Sequence, residues 1–268
     1  MAGYNIETYN YDNQVIFEDK SIINATYIIH LKNNGRYDSI INQLKIFHPT
    51  ETVHLVINDG YKTSNKNLKQ QNSTYDLIHA FNFIFKDAFS RNYKNILVLE
   101  DDFYFDIKIK SPIHINGVSK FIETHNNEAF MLLLGCIPFI RTPFENKGLS
   151  LGTHCAVYSQ KYIEALIEKY EEIDDWDIYT NLYCKYPRYI YDTPLCYQTF
   201  PYTENSQLWG KNNVVFYIFA LLLKTIFKYV KLDCTESPGY LYFYFFSKFV
   251  CVFLIFLLVY LAYNFLNY

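Results

Sequence analysis

The sequence predicts an α/β protein with a mostly parallel sheet, followed by C-terminal membrane helices. Between residues 24 and 210, short continuous apolar runs alternate with segments of helical periodicity, which is typical of a sheet covered by helices on both faces. From Phe249 to Tyr268 the chain carries no charged residue. We therefore divide the chain into a polar N-terminal arm (1–23), an α/β domain (24–210), an amphipathic segment (211–233) and a membrane helix (240–264).

The predicted strands and helices of the α/β domain follow one another along the chain. The strands are Ala25–Leu31, Val53–Ile57, Ile96–Leu99, Phe130–Leu134 and Thr153–Tyr158. The helices carry apolar residues at helical spacing: Ile40, Ile41, Leu44 and Phe47 in the first, the stripe of Ser73–Ser90 in the second, and Ile163, Leu166, Ile167 and Tyr170 in a third that Ser159 would cap. In sheets of this kind, ligands bind beyond the carboxyl ends of the strands.

The uncharged C-terminal stretch predicts a transmembrane anchor, because about 20 apolar residues suffice to cross a bilayer. Tyr242 and Tyr244 precede it, as interfacial aromatic residues do, and Lys248 lies in its first turn. Several lysines precede the stretch and no charge follows it, so the positive-inside rule places the large domain in the cytoplasm.

A second apolar stretch, Val214–Leu232, precedes the anchor. Lys224, Lys228 and Lys231 fall on one helical face of this stretch, which favours an amphipathic helix lying in the membrane interface; a second span is the alternative. Cys234–Gly239, which contains Ser-Pro-Gly, separates the two apolar stretches.

Composition argues against some classes of function. The formal net charge is −3 and no basic stripe or nucleic-acid motif is present, so nucleic acid is not expected as the main partner. The six cysteines include no Cys-x-x-Cys pair, which argues against a zinc site and against a dense disulfide framework.

Three adjacent carboxylates, Glu100, Asp101 and Asp102, follow directly after the strand Ile96–Leu99. Neighbouring carboxylates repel one another unless water, hydrogen-bond donors or a cation compensate them. Mg²⁺ and Mn²⁺ favour such oxygen ligands, often one or two carboxylates together with substrate phosphates. In an extended chain Glu100 and Asp102 face one side and Asp101 the other. The triplet therefore predicts a divalent-metal site, with a solvated acidic turn as the alternative.

The run from Tyr93 to Asp102, an aliphatic strand that ends in Leu-Glu-Asp-Asp, resembles glycosyltransferase family 25. This family includes bacterial lipopolysaccharide glycosyltransferases and collagen galactosyltransferases. Four further segments are similar to the family's in the same order: Tyr27–Leu31 with Arg36 downstream, Gly152–Ser159, Asp174–Tyr179, and Pro194–Gln198 with Ser206 following. His30 stands where the family's opening strand has Asn. The resemblance covers residues 24–208.

The resemblance implies a GT-A fold, which is the Rossmann-like fold of nucleotide-diphospho-sugar transferases. It also implies a nucleotide-sugar donor such as a UDP-hexose, a divalent cation (Mn²⁺ or Mg²⁺), and inversion at the anomeric carbon. The acceptor would be a hydroxyl of a glycan, a glycolipid or other lipid-linked acceptor, or a glycoprotein. The lipid membrane is a further expected partner because of the C-terminal anchor.

The candidate site residues follow from the chemistry of glycosyl transfer together with this resemblance. For the metal we expect Glu100, Asp102 and His154, with Asp102 as the first choice for a direct ligand. For the nucleotide-sugar we expect His30, Arg36, Asn58, Asp59 and Asp101. An inverting displacement needs a general base on the acceptor hydroxyl, for which Asp177 is preferred over Asp174 and Asp175.

Each of these assignments has a structural alternative. Asn58 and Asp59 would equally suit a bare turn, Arg36 a surface position and His154 a hydrogen-bonded structural role. The Asp-Asp-Trp-Asp segment at 174–177 would also suit a helix N-terminus. Two other functions remain open. A sugar nucleotidyltransferase normally has a Gly-rich loop after its first strand, whereas residues 32–36 contain one Gly. A catalytically degenerate glycosyltransferase domain would serve as a membrane interaction module.

Overall fold

The computed structural model describes residues 3–199, 214–232 and 239–266. Within them the chain is an α/β protein with a large, mostly parallel sheet and an apolar C-terminal helix, which confirms the predicted fold class. Ser206 and residues 234–238 of the predicted break lie outside the described residues.

The strands are named in chain order: β1 Tyr4–Asn10, β2 Ala25–Leu31, β3 Thr52–Asn58, β4 Asn95–Glu100, β5 Phe103–Phe105, β6 Met131–Arg141, β7 Gly148–Ser159, β8 Arg188–Ile190 and β9 Cys196–Gln198. The helices are α1 Tyr37–Ile46, α2 Ser73–Ser90, α3 Pro112–Thr124, α4 Gln160–Glu168, the single turn α5 Trp176–Ile178, α6 Val214–Tyr229 and α7 Gly239–Leu266. All five predicted strands and the three predicted helices of the domain are present.

Seven of the described strands form one sheet in the order β1-β3-β2-β4-β7-β6-β8, and β5 pairs with β9 separately. β3, β2, β4, β6 and β8 run in one direction, whereas β1 and β7 run in the other. The strand predicted at Thr153–Tyr158 is therefore antiparallel to both of its neighbours. Because of this reversal, the beginning of β7 lies beside the carboxyl end of β4.

Helices cover both faces of the sheet. On one face α2 and α4 pack on residues that include Tyr27 and Val98. On the other face α1 and α3 pack on the alternate residues, which include Ile28 and Leu97. Successive residues of a strand point to opposite faces, so a strand buried on both sides reads as a continuous apolar run.

Two local features differ from the sequence-based picture. Residues 4–10 of the polar N-terminal arm form the edge strand β1, which pairs with β3. Ser159 precedes α4 as predicted, but its hydroxyl accepts a hydrogen bond from the N–H of Phe130 at 2.8 Å and does not cap the helix.

The first turns of α7 pack against β6, and the remainder of the helix is exposed. Tyr240 and Tyr244 are buried, and the guanidinium of Arg141 donates to the carbonyl of Tyr244 at 2.6 Å. Lys248 pairs with Asp192 at 2.9 Å. Tyr244 is therefore a domain contact and is not the interfacial residue that the sequence predicts. Among the described helices, α7 is long and apolar enough to cross a membrane.

Candidate active site

A cleft of about 1220 Å³ opens at the carboxyl ends of β2, β3 and β4. The predicted site residues that line it are Arg36, Asn58, Asp59, Glu100, Asp101, Asp102, Asp175 and Asp177. His30, His154 and Asp174, which the sequence also predicts in the site, do not line it. The topology thus brings together side chains that are far apart in the chain, at the edge where ligands of α/β sheets bind.

Asp101 holds the loop between β2 and α1. Its carboxylate accepts hydrogen bonds from the N–H of Leu31 at 3.0 Å, from the amide of Asn34 at 2.5 Å and from the guanidinium of Arg36. The Nδ1 atom of His30 lies 3.5 Å from the same carboxylate. Burial opposes the charge of Asp101, but the contacts with His30 and Arg36 outweigh it and keep its pKa below the usual value. Asp101 is therefore ionised, and His30 acts on the cleft through Asp101.

Glu100 and Asp102 have fewer donors around them. Glu100 accepts one hydrogen bond from the Thr153 hydroxyl at 3.0 Å. Asp102 accepts from the side-chain amide of Gln198, whose Nε2 lies 3.0 and 3.2 Å from its two oxygens. Thr153 is in β7 and Gln198 ends β9, so both donors come from outside the strand that carries the carboxylates.

Burial and neighbouring carboxylates disfavour the charged forms of Glu100 and Asp102. Burial, and then the charges of Asp102 and Asp177, raise the pKa of Glu100 to about 8. Burial, and then the charge of Asp101, raise the pKa of Asp102 to about 6. A divalent cation between Glu100 and Asp102 would relieve this repulsion, because an opposite charge at short range favours the ionised form.

The donor set suits Mg²⁺ or Mn²⁺ better than a metal that needs a full protein cage. The described residues contain no group of three or more His, Cys, Asp or Glu side chains arranged to hold a metal ion. Mg²⁺ commonly binds through one or two carboxylates and takes its other ligands from substrate phosphates and water. Glu100 and Asp102 fit that pattern.

His154 lies behind the wall of the cleft. It is fully buried, its Nε2 atom is 3.3 Å from the carbonyl oxygen of Cys196, and no described residue contacts its Nδ1 atom with a hydrogen bond. Burial lowers its pKa to about 4, so the ring is neutral at pH 7. A Cβ atom on Gly135 would lie 2.6 Å from Nε2, and one on Gly152 3.1 Å from Nδ1. Contrary to the sequence-based assignment to the metal, this position indicates a packing role.

The three candidates for the general base have different surroundings. Asp174 is exposed, pairs with Lys69 and accepts a hydrogen bond from Tyr75 at 2.7 Å outside the cleft. Asp175 caps α5 by accepting the N–H of Ile178 at 2.8 Å. The structure therefore assigns local structural contacts to both of these residues.

The two oxygens of the Asp177 carboxylate have different surroundings, and Oδ1 is buried. Its Oδ2 atom accepts the N–H of Gly152 at 3.2 Å, whereas no described residue donates a hydrogen bond to Oδ1. The guanidinium of Arg188 is 3.8 Å from Oδ1. Burial raises the pKa of Asp177, and the charge of Arg188 partly offsets this effect. Asp177 lines the cleft, and a carboxylate with a raised pKa in this position is suited to accept a proton.

Asn58 belongs to a buried network behind the rim. Its amide donates to Asp76 at 3.1 Å, and its oxygen accepts from the N–H of Gly60 at 2.8 Å and from the ammonium of Lys66. Lys66 also pairs with Asp76 at 2.7 Å. Asp59, in contrast, lies at the rim and pairs with an exposed lysine. Asn58 thus shapes the loop after β3, and its predicted contact with the nucleotide would require one of these bonds to break.

Several lining residues have no counterpart in the sequence-based site. Gln198 and Thr153 lie in segments that resemble the glycosyltransferase family, and this resemblance could have identified them as site residues. Lys224, Phe227 and Lys228 of α6 also line the cleft. In the sequence these lysines indicate the polar face of an amphipathic interfacial helix, and the tertiary structure shows that α6 also packs on the domain beside the cleft.

No protein-family model and no curated protein sequence matches the chain. Among solved structures, it is similar to a glycosyltransferase involved in the glycosylation of the major capsid of PBCV-1, at 10% identity and a TM-score of 0.42, over 68% of this chain and 95% of that one. It is also similar to a putative glucose-1-phosphate thymidylyltransferase from Bacillus anthracis, at 13% identity and a TM-score of 0.33, over 80% and 78%. A third match is A197 from STIV, at 10% identity and a TM-score of 0.31, over 52% and 66%. Likeness at this level carries no information about substrate or reaction, which must come from the site itself.

Proposed function

We propose that the chain is a membrane-anchored glycosyltransferase that depends on a divalent metal and uses a nucleotide-sugar donor, with a UDP-hexose as the expected class. The observation that supports it best is the single cleft in which the crowded pair Glu100 and Asp102 lies close enough to Asp177 for their charges to interact. Such a cleft can hold a cation and its diphosphate beside a proton acceptor.

The loops after β2 and β3 form the side of the cleft that would bind the nucleotide. Arg36 lines this side and is oriented by Asp101. Its guanidinium can donate to phosphate oxygens from the position in which it is held. Asp59 at the rim is available to the ribose or the base, whereas Asn58 maintains the shape of the loop.

Glu100 and Asp102 would hold Mn²⁺ or Mg²⁺, which supplies positive charge to the departing diphosphate when bound. Gln198 fixes the orientation of the Asp102 carboxylate by donating to both of its oxygens. The hydroxyl of Thr153 donates to one oxygen of Glu100 and orients that carboxylate. These neutral donors position the carboxylates without cancelling the negative charge that a cation requires.

Asp177 would take the proton from the acceptor hydroxyl. The acceptor oxygen forms a bond to the anomeric carbon while the bond from that carbon to the diphosphate oxygen breaks, and the nucleoside diphosphate leaves. Attack from the side opposite to the leaving group inverts the anomeric centre. The carboxylate of Asp177, which lines the cleft, would be the acceptor for the proton.

The test uses the full chain in detergent or nanodiscs with Mn²⁺ and a panel of UDP-sugars, and follows release of UDP. We expect release that EDTA abolishes and that Asp102→Asn reduces at least about 100-fold, since the charge that holds the metal is lost. Asp174→Asn is the matched control, because this carboxylate lies outside the cleft, and it should retain activity.

Other outcomes separate the alternatives. Unchanged turnover in Asp102→Asn would contradict the metal assignment. Release of pyrophosphate from a nucleoside triphosphate and a sugar phosphate would indicate a sugar nucleotidyltransferase. Absence of release with every donor would favour a catalytically degenerate interaction module.

A further inference from the structure

Helix α6 presents two chemically different faces. Ile218, Leu221, Leu222 and Tyr229 recur at helical spacing and are 55–88% exposed. On the opposite side Phe227 is buried. Lys224 and Lys228 flank Phe227 and line the cleft. We call the exposed residues the apolar stripe of α6.

The membrane is the occupant that fits the apolar stripe. Helix α7 begins ten residues after Tyr229, and its surface from Phe249 onward is apolar and exposed. The 16 residues of α6 extend only about 24 Å, which is shorter than the roughly 30 Å hydrocarbon core of a bilayer. An amphipathic helix of this length, joined closely to a membrane-crossing helix, lies in the interface plane.

The position of α6 also identifies which part of the cleft faces the membrane. Phe227 packs in a cluster with Ile137, Tyr197 and Tyr240, next to Leu151 of β7. This cluster is on the β6–β7 side of the cleft, away from the loops after β2 and β3. The lysines of α6 therefore line the β6–β7 side of the cleft, which the proposed nucleotide does not occupy and which is available to the acceptor. Gly152, whose N–H donates to Asp177, lines the cleft as well.

We propose that the acceptor is a membrane lipid whose headgroup carries both a phosphate and a reactive hydroxyl. The apolar stripe sets α6 on the bilayer, Lys224 and Lys228 hold the phosphate, and the hydroxyl reaches Asp177. The hydroxyl oxygen forms a bond to the anomeric carbon of the donor sugar, the hydroxyl proton passes to Asp177, and the donor's diphosphate leaves. This inference rests on the proposed glycosyl transfer for its chemistry, while the membrane seating of α6 stands independently of it.

The seating of α6 is measured by fluorescence quenching in the full chain reconstituted in phosphatidylcholine nanodiscs. Brominated acyl chains quench tryptophan that reaches the hydrocarbon region. We expect additional quenching for Leu222→Trp relative to the unsubstituted chain, and none for Ile113→Trp, an equally apolar exposed position on α3. Equal quenching of the two variants, or none at residue 222, would overturn the membrane seating.

The phosphate site is tested with phosphatidylinositol, which combines a phosphodiester with ring hydroxyls. Native mass spectrometry of the detergent-solubilised full chain measures the phosphatidylinositol retained in competition with phosphatidylcholine. We expect Lys224→Gln combined with Lys228→Gln to reduce the retained fraction about 30-fold, as for the loss of two interfacial charges. Lys231→Gln, which removes an equal charge outside the cleft lining, should have a smaller effect.

Kinetics distinguish a lipid phosphate from the donor's own diphosphate. If the double variant leaves lipid retention unchanged and raises the KM for the UDP-sugar, the lysines serve the donor and the proposal is overturned. Soluble inositol 1-phosphate that competes as well as the lipid would show that the membrane is not required, which would also overturn it. Absence of UDP release would contradict the proposed transfer alone, because the quenching and retention measurements do not depend on turnover.

Discussion

Glu100, Asp101 and Asp102 are adjacent in the chain, but the charge of each has different surroundings. Asp101 faces the loop after β2, where a guanidinium and two N–H donors compensate it. Glu100 and Asp102 receive hydrogen bonds from neutral donors and remain close to other carboxylates, and the guanidinium of Arg36 lies 3.9 Å from Asp102. One charge thus stabilises the fold of the loop, and the other two belong to the carboxylates for which we propose a cation.

At this scale the sequence identifies the acidic triplet but not the division of roles within it. The sequence predicts that Asp101 faces away from Glu100 and Asp102, as in an extended chain. In the structure β4 ends at Glu100, and Asp101 and Asp102 lie in a turn in which Arg36 pairs with Asp101 and is 3.9 Å from Asp102. The roles of His154 and Asn58 were not accessible, because they depend on packing partners such as Cys196 and Asp76 that are distant in sequence.

A buried histidine outside the site supports a prediction about pH and stability. His54 is 1% exposed, with Nδ1 2.9 Å from the Thr8 hydroxyl. Burial, and then the charge of Arg91, lower its pKa to about 4. The unfolded state, with a pKa near 6.5, then binds more protons than the folded state between about pH 6.5 and pH 4, so stability falls as the pH is lowered through this window.

We expect the free energy of unfolding to fall by about 3 kcal/mol more in the unsubstituted chain than in His54→Gln between pH 7 and pH 4. Glutamine keeps a polar partner for Thr8 and does not titrate. Urea unfolding in detergent at several pH values measures the difference. Parallel curves for the two proteins would show that His54 does not contribute to the pH dependence.

At the scale of elements, the sequence predicts segments with a strong hydrophobic pattern and does not predict weakly patterned ones. The boundaries of β2 and α2 agree with the prediction because each is a long, strongly patterned segment with clear limits. The sequence does not predict β1, because its apolar and polar residues are mixed and it lies at the sheet edge. The direction of β7 is set by its hairpin with β6, and local periodicity carries no information on strand direction.

The contact between α7 and β9 connects the apolar C-terminal helix with the candidate metal site. The hydroxyl of Tyr240 accepts the N–H of Gln198 at 3.0 Å, and the side chain of Gln198 donates to Asp102. Loss of an outer hydrogen bond that orients a ligand commonly weakens metal binding. Tyr240 is therefore a positioning residue in the proposed mechanism.

We expect Tyr240→Phe to weaken Mn²⁺ binding about 5-fold, less than the 10- to 100-fold typical of a direct neighbour of a ligand. Isothermal titration calorimetry of the full chain without donor measures this directly. Tyr242→Phe, at an exposed position two residues away, is the control. Equal Mn²⁺ affinities in the two variants would show that Tyr240 contributes only to packing.

At the scale of the whole molecule, the sequence suggests a soluble catalytic unit and a separate anchor. In the structure the first turns of α7 pack against the domain, and the remainder of the helix is apolar and exposed. Arg141 explains the difference, since it extends from β6 to the carbonyl and ring of Tyr244. An arginine in a strand does not reveal in the sequence which distant helix it will hold.

This division of α7 predicts different outcomes for two truncations. A chain that ends at residue 248 keeps Tyr240, Tyr244 and Lys248, whereas a chain that ends at residue 238 loses all three. Burial of the two tyrosines contributes roughly 3–6 kcal/mol, which corresponds to a melting temperature lower by about 10 °C in the shorter chain. Differential scanning fluorimetry of both truncations against the full chain measures this, and we expect the longer one to melt close to the full chain while failing to insert into vesicles. If both truncations melted at the same temperature, α7 would be an anchor alone, and the coupling of Tyr240 to Asp102 would have no structural basis.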